Sequence, residues 1–247
     1  MLTLTSFHRL TIISSQEDTM TTADIIGLAL SFVFVFAAIG AAGLIHKCRI
    51  FSPFTTRKII HISVAHWWIM AMLLFTRLWT AAIGPVFFII FNYVSLRLHL
   101  VKAMEDERES SNWGTVLFPL SLLGMVVLCW SGWMPLWIGA AGILVLGWGD
   151  GLASLAGRRW GLRKIKILGG KKSWAGTGTL VLAAFVVTLV VLTIFSTAAW
   201  WLLILAAAAT ALLAAVVELA TPFNLDNISV PFSVALFLQL LHSGGLI

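Results

Sequence analysis

Long apolar runs dominate the chain, broken at short intervals by polar clusters. A helix needs about 20 predominantly apolar residues to cross the hydrocarbon of a bilayer. Eight stretches approach that length, near residues 25–45, 59–75, 78–96, 114–130, 134–149, 174–195, 198–220 and 230–241. The pattern predicts an all-α fold, a polytopic transmembrane helical bundle of about eight spans with a basic loop between spans five and six. Within that loop Lys164-Ile-Lys-Ile-Leu alternates like a short strand, and Gly169-Gly170 should turn the chain back.

Composition agrees. Of 247 residues, 60% are hydrophobic and only 11% charged, whereas soluble domains carry about 25% charged residues. Soluble and disordered chains are thereby excluded. Tryptophans recur near the ends of the runs (Trp67, Trp79, Trp113, Trp130, Trp133, Trp200), where amphipathic rings meet headgroups. The net charge of +6 is confined to loops, and all but Arg9 and Arg77 of the 16 basic residues fall in the first, third and fifth. Those loops should therefore be cytoplasmic, and nucleic acid is not an expected partner. Cys48 and Cys129 fit neither a disulfide framework nor a thiolate metal site. Residues 1–23 lack the basic start of a signal peptide. They read as an N-terminal tail, with Met20 an alternative start, ahead of an integral membrane domain over 24–247.

Charged groups at the edge of hydrocarbon are costly and need a reason. Here they gather on the cytoplasmic side. Arg57, Lys58 and His61 open the second span, and Asn92 and Arg97 close the third. Asp150 closes the fifth, Lys171, Lys172 and Ser173 open the sixth, Glu218 closes the seventh, and Asp226 and Asn227 precede the eighth. On a helix, Asp150, Ser154, Gly157 and Gly161 share one face that carries a carboxylate and almost no bulk, which admits a ligand or another backbone. Lys171, Lys172 and Ser173 at a helix N-terminus suit a phosphate. The pattern there is neither a P-loop nor a dinucleotide-binding fingerprint. Each feature has a plainer reading: the lysines as topology anchors, the aspartates as helix caps, the run 105–109 as a solvated loop. Glu218 ends an apolar helix with no nearby cation and needs a partner from elsewhere. Together, carboxylates and cations on one face favour metal-assisted phosphoryl or nucleotidyl chemistry, with carboxylate oxygens holding Mg²⁺.

Four patches, in order along the chain, resemble the CTP-dependent lipid kinase family of dolichol, phytol and farnesol kinases and yeast-type diacylglycerol kinase, distant relatives of phosphatidate cytidylyltransferase. Arg57-Lys58-Ile-Ile-His61 is similar to R-K-x-x-H. Gly149-Asp150 through Ala153, Gly157 and Gly161 is similar to G-D-x-x-A-x-x-x-G-x-x-x-G. Lys172-Ser173-Trp174-Ala175-Gly176-Thr177 is similar to K-S-x-x-G-[ST], and Glu218 with Asp226-Asn227 and Pro231 to E…D-N-x-x-x-P. Two departures matter. Ala175 stands where many relatives have Glu, a form closer to the phytol kinase branch, and the G-H-G-G…D-R-x-D signature of the cytidylyltransferases is absent.

The resemblance implies a kinase moving the γ-phosphoryl of CTP to a membrane lipid alcohol, first an isoprenoid such as phytol, farnesol or a polyprenol, second diacylglycerol. Asp150, Asp226 and Asn227 would hold Mg²⁺. Arg57, Lys58, Ser154, Gly157, Gly161, Lys171, Lys172, Ser173, Gly176 and Thr177 would hold nucleotide and phosphates. Asp150 with His61 or Glu218 would be catalytic, one of the latter two taking the hydroxyl proton. The expected setting is the plasma (inner) membrane with the site on the cytoplasmic face; self-association into a homo-oligomer is left open. A CTP:lipid-phosphate cytidylyltransferase, or a transporter or scaffold without activity, are the alternatives.

Overall fold

The computed structural model of the chain describes residues 19–98, 113–167 and 170–247. The expectations for the N-terminal extension and for the acidic run 105–109 lie outside the described residues. Within them the protein is all-α apart from one hairpin. Helix α1 covers Thr22–Lys47, α2 Pro53–Ala65, α3 Trp67–Leu74, α4 Leu78–Leu98 and α5 Gly114–Trp130. Next, α6 (Leu136–Val145) runs through a wide π-helical turn (Leu146–Asp150) into α7 (Gly151–Trp160). Strands β1 (Lys164–Ile167) and β2 (Gly170–Ser173) pair antiparallel, Ile165 opposite Lys172. Helices α8 (Trp174–Phe195), α9 (Trp200–Ala220) and α10 (Asp226–Ser243) complete the chain.

Among the described residues, 5 helical stretches are long and apolar enough to cross a membrane: Thr22–Ile45, Leu78–Leu98, Leu136–Trp160, Trp174–Phe195 and Trp200–Ala220. Large apolar side chains stay exposed on them, Val33, Ile90, Leu182 and Leu212 among others. Such a surface suits lipid and not water, and the protein is an integral membrane protein. The fifth expected span runs longer than its apolar pattern, through the polar segment to Trp160.

The second expected span is two helices. At its break the His66 Nδ1 bonds the Ile62 carbonyl at 2.8 Å, the acceptor that the His66 backbone N–H would use in a continuous helix. That N–H turns to Ser63 O instead, and the chain tightens and bends. Helix α2 itself begins where local chemistry says it should: Ser52 accepts from Thr55 N, and Pro53 stands at the first helical position.

The core lies around α6, whose residues from Ile138 to Val145 are all buried. Trp68, Met125, Leu180, Leu192 and Leu238 close on it from α3, α5, α8 and α10. A buried central helix explains the uninterrupted apolar run over 134–146, polar on no side.

Candidate active site

The wide turn ends at Asp150. A π-helical turn inserts a residue into the helical ladder and is often kept where it aims a functional group. Gly147 lies within it and Gly151 follows it, and a methyl group on these would meet Ala65 and Ile62 of α2 respectively. The two glycines therefore let α2 lie against the turn, which brings Lys58 and His61 to Asp150. Lys58 Nζ sits 2.7 Å from Asp150 Oδ2, and Ser154 Oγ donates to Oδ1 at 3.2 Å. His61 Nε2 lies 3.6 Å from Oδ2, beyond hydrogen-bond reach, and is buried with no partner among the described residues. The ring also bonds the Leu146 backbone. Since Nε2 is unpartnered, that bond comes from Nδ1 as donor, which leaves the lone pair on Nε2.

A second cluster forms from three distant segments. Lys172, at the end of β2, donates to Asp226 Oδ2 at 2.8 Å and contacts Glu218 Oε1 more closely still. Glu218 thus finds the cation that its own helix lacks, while its Oε2 stays buried without a partner. Burial opposes the charge on Lys172, but the carboxylates of Asp226 and Glu218 outweigh it and hold the ammonium above the ordinary lysine range. Asn227 donates to Asn224 O and lies against Asp226, and its carbonyl accepts from Ser121 Oγ of α5.

Both clusters open into one cavity of about 170 Å³. Arg57, Lys58, His61, Asp150, Ser154, Lys172, Asp226 and Asn227 line its polar end. Apolar side chains of α1, α4 and α5 line the remainder. Residues far apart in sequence are thus brought together around one space.

Other candidates stand behind the cavity. A methyl group on Gly157 would come within 2.8 Å of Ser173 Oγ, and one on Gly176 within 2.9 Å of the Ala153 carbonyl. Gly161 presses on Ser173 and on its own helix. The small face of α7 therefore receives the backbone of α8. Ser173 caps α8 by accepting from Gly176 N at 3.1 Å, and Thr177 Oγ1 is buried without a partner. Glu218 touches the cavity only through Lys172, and the side chain of Lys171 lies outside the described residues. Thr115 and Asn224, which the sequence did not point to, line the cavity, and so does Asn92, named from the sequence only as a polar group closing a span. For Asn92 the signal was there: an amide late in an otherwise apolar helix.

Among the described residues, no three His, Cys, Asp or Glu side chains form a ready-made ion cage. The donor set still fits a hard divalent cation. Mg²⁺ is commonly held by one or two carboxylates together with substrate phosphates, and Asp150 and Asp226 offer two carboxylates in one cavity.

The chain is 34% identical over 211 residues to the phytol kinase of Synechocystis sp. (strain ATCC 27184 / PCC 6803 / Kazusa), covering 85% of this chain and 89% of that one. It is 28% identical to probable phytol kinase 2, chloroplastic, of Glycine max, over 93% of this chain and 77% of the relative. A probable chloroplastic phytol kinase of Zea mays is 29% identical over 93% and 78%. No family model matches, and no solved structure matches.

Proposed function

The chain belongs to the phytol kinase family, phosphotransferases with an alcohol acceptor, and from that premise we propose that it transfers the γ-phosphoryl group of CTP to phytol or a similar isoprenoid alcohol. The observation that carries the reading is one cavity shared by two lysine–carboxylate clusters and an apolar extension. The names of the relatives support phytol. The four sequence patches support CTP as donor, and Ala175 supports the phytol kinase branch.

The alcohol oxygen attacks the γ-phosphorus, the bond to the bridging β–γ oxygen breaks, and CDP leaves. Phosphoryl transfer of this kind depends mainly on positioning and charge. Lys58, Arg57 and Lys172 line the polar end and supply cations for the phosphates. Asp150, Asp226 and the Asn227 amide oxygen would hold Mg²⁺, which neutralises phosphate charge when bound. His61 Nε2, with a free lone pair, accepts the hydroxyl proton. Glu218 suits that role less, because it is engaged by Lys172 and is not in the cavity wall. The polar end lies on the side of the basic loops, and the excess of Lys and Arg there supports a reaction at the cytoplasmic face of the membrane.

The test uses purified protein, Mg²⁺ and γ-labelled CTP or ATP with phytol, farnesol, a long polyprenol or diacylglycerol. Labelled phytyl phosphate with CDP is the expected outcome. Pyrophosphate as the small product, from a lipid phosphate, would instead establish a cytidylyltransferase. Absence of any alcohol-dependent product overturns the proposal.

A further inference from the structure

The apolar part of the cavity has a shape that the chemistry at its mouth does not require. It is walled by four helical segments running alternately towards and away from the polar end. The lining runs from Ile39 to Ser31 on α1, from Asn92 to Gly84 on α4 and from Gly114 to Leu122 on α5. Each is an interval of eight residues, about 12 Å at the helical rise. The fourth wall, α2 continuing into α3, ends at Trp67. Trp67 Nε1 donates to Ser31 Oγ at 2.8 Å, and Ser31 Oγ donates to the Gly27 carbonyl at 2.6 Å. That chain fixes the indole as a floor.

Asn92 marks the boundary between the polar and apolar parts. Its Nδ2 donates to the Thr115 carbonyl at 2.7 Å, which fixes the orientation of the amide. Its Oδ1 is buried with no partner among the described residues, and the residue is only 7% exposed. A buried acceptor left unpaired at the top of a hydrocarbon-lined slot calls for a ligand with one donor and an apolar remainder. A long-chain alcohol meets that description.

We propose that the acceptor alcohol lies along this slot, its hydroxyl donating to Asn92 Oδ1 and its chain running down to the Trp67–Ser31 floor. This deepens, and rests on, the phosphoryl-transfer reading. An extended chain advances about 1.2 Å per bond, so the slot grips roughly ten chain carbons. Longer chains pass their remainder into the bilayer. Hydrocarbon surrounds the chain in either place, so filling the slot selects by packing and shape, with little gain from transfer out of water. Alcohols that share the first ten carbons should be used alike, whatever follows.

Two variants and one probe test this. Gly84 faces the slot, and a methyl group there would lie 3.8 Å from the Trp67 ring, an ordinary contact. Gly84→Leu therefore starts from a Cβ in ordinary contact and carries its branched end into the lower slot. It should lower the ratio of kcat/KM for phytol to that for a five-carbon prenol at least tenfold. An unchanged ratio overturns the assignment. Asn92→Leu should raise KM for the alcohol about tenfold, the worth of one hydrogen bond, and lower the unfolding temperature modestly, since it also removes the bond to the Thr115 carbonyl. A fall in that temperature with KM unchanged would mark Asn92 as merely structural.

The probe separates the slot from the reaction. Hexadecanol carrying a diazirine about ten carbons from its hydroxyl should label Trp67 or the Gly84–Phe88 segment on illumination, with or without nucleotide. Labelling confined to the outer faces of α1 and α4 removes the slot even if the kinase activity stands. Labelling in the slot of a protein that phosphorylates no alcohol keeps the binding site and removes the reaction.

Discussion

Replacing Lys172 by Met takes the cation from two carboxylates that are nearly inaccessible: Glu218 is 4% exposed and Asp226 6%. Breaking a buried pair by removing one partner costs about 3–5 kcal/mol. An independent route gives the same size. The cheapest escape for the stranded pair is to bind one shared proton. At pH 7 a carboxylate of ordinary pKa near 4 resists that by about three pH units, or ~4 kcal/mol. At pH 5 the gap is about one unit and the penalty ~1.4 kcal/mol. The mutant's native state then holds a proton that its unfolded state releases, so its stability relative to wild type rises as pH falls.

In wild type the Lys172 cation stays in place across this range. The Lys172 pKa is raised above its ordinary value of about 10.5, so its contribution is fully present below that pH and is lost only in the alkaline range. Thermal unfolding in mild detergent, followed by tryptophan fluorescence, reads the difference. For a chain of this size each kcal/mol shifts Tm by about 2–4 °C. Lys172→Met should lower Tm by roughly 8–16 °C at pH 7 and by roughly 3–6 °C at pH 5. Adding Glu218→Gln should restore part of the loss. A Tm difference that is the same at both pH values, or a double variant no more stable than the single, would refute the reasoning.

His61→Gln, which removes the lone pair at Nε2, should reduce kcat by about 10²–10⁴-fold while the unfolding temperature stays near wild type. Gly157→Val forces a side chain onto Ser173 Oγ, 2.8 Å from where its Cβ would stand. It should cost about 1–3 kcal/mol from overpacking, with about 1 kcal/mol more as the cap on α8 loosens, seen as a lower Tm. Asp24→Ala leaves Thr76 N and the Thr76 and Thr80 hydroxyls without their shared acceptor and breaks the reciprocal Thr21–Asp24 cap of α1. Bonds to a carboxylate contribute about 1.5–3 kcal/mol each, so Tm should fall steeply. The KM for nucleotide should hold, because Asp24 lies about 22 Å along α1 from the Ile39 level of the cavity. Chelating divalent cations with EDTA should abolish turnover, and Mg²⁺ should restore it.

What the chain discloses about itself follows the range of each interaction. Short-range features were legible: the apolar runs, the alternating strand over Lys164–Ile167, and a small-residue face on α7. That face could have met a ligand or a backbone, and only the placement of α8 against Gly157 decides for the backbone. Arg57 and His61 share a helix face at a spacing of four, yet the residues that meet Asp150 are Lys58 and His61, because α2 is rotated to lie on the π-helical turn. No local periodicity announces that turn, since its cause is the close approach that Gly147 and Gly151 permit.

Glu218 was legible as a residue in need of a cation, though not which one: Lys172 reaches it from a strand that pairs far outside the helix. The least legible feature is the slot, because it belongs to no residue. It is the space that four helices leave when Gly84 and Pro85 on one of them face Ser31 and Trp67 on others. Asn92 had the better claim to notice. An amide near the end of an apolar helix has two donors and two lone pairs to satisfy in a place without water, and among the described residues one donor is satisfied while the acceptor is left open.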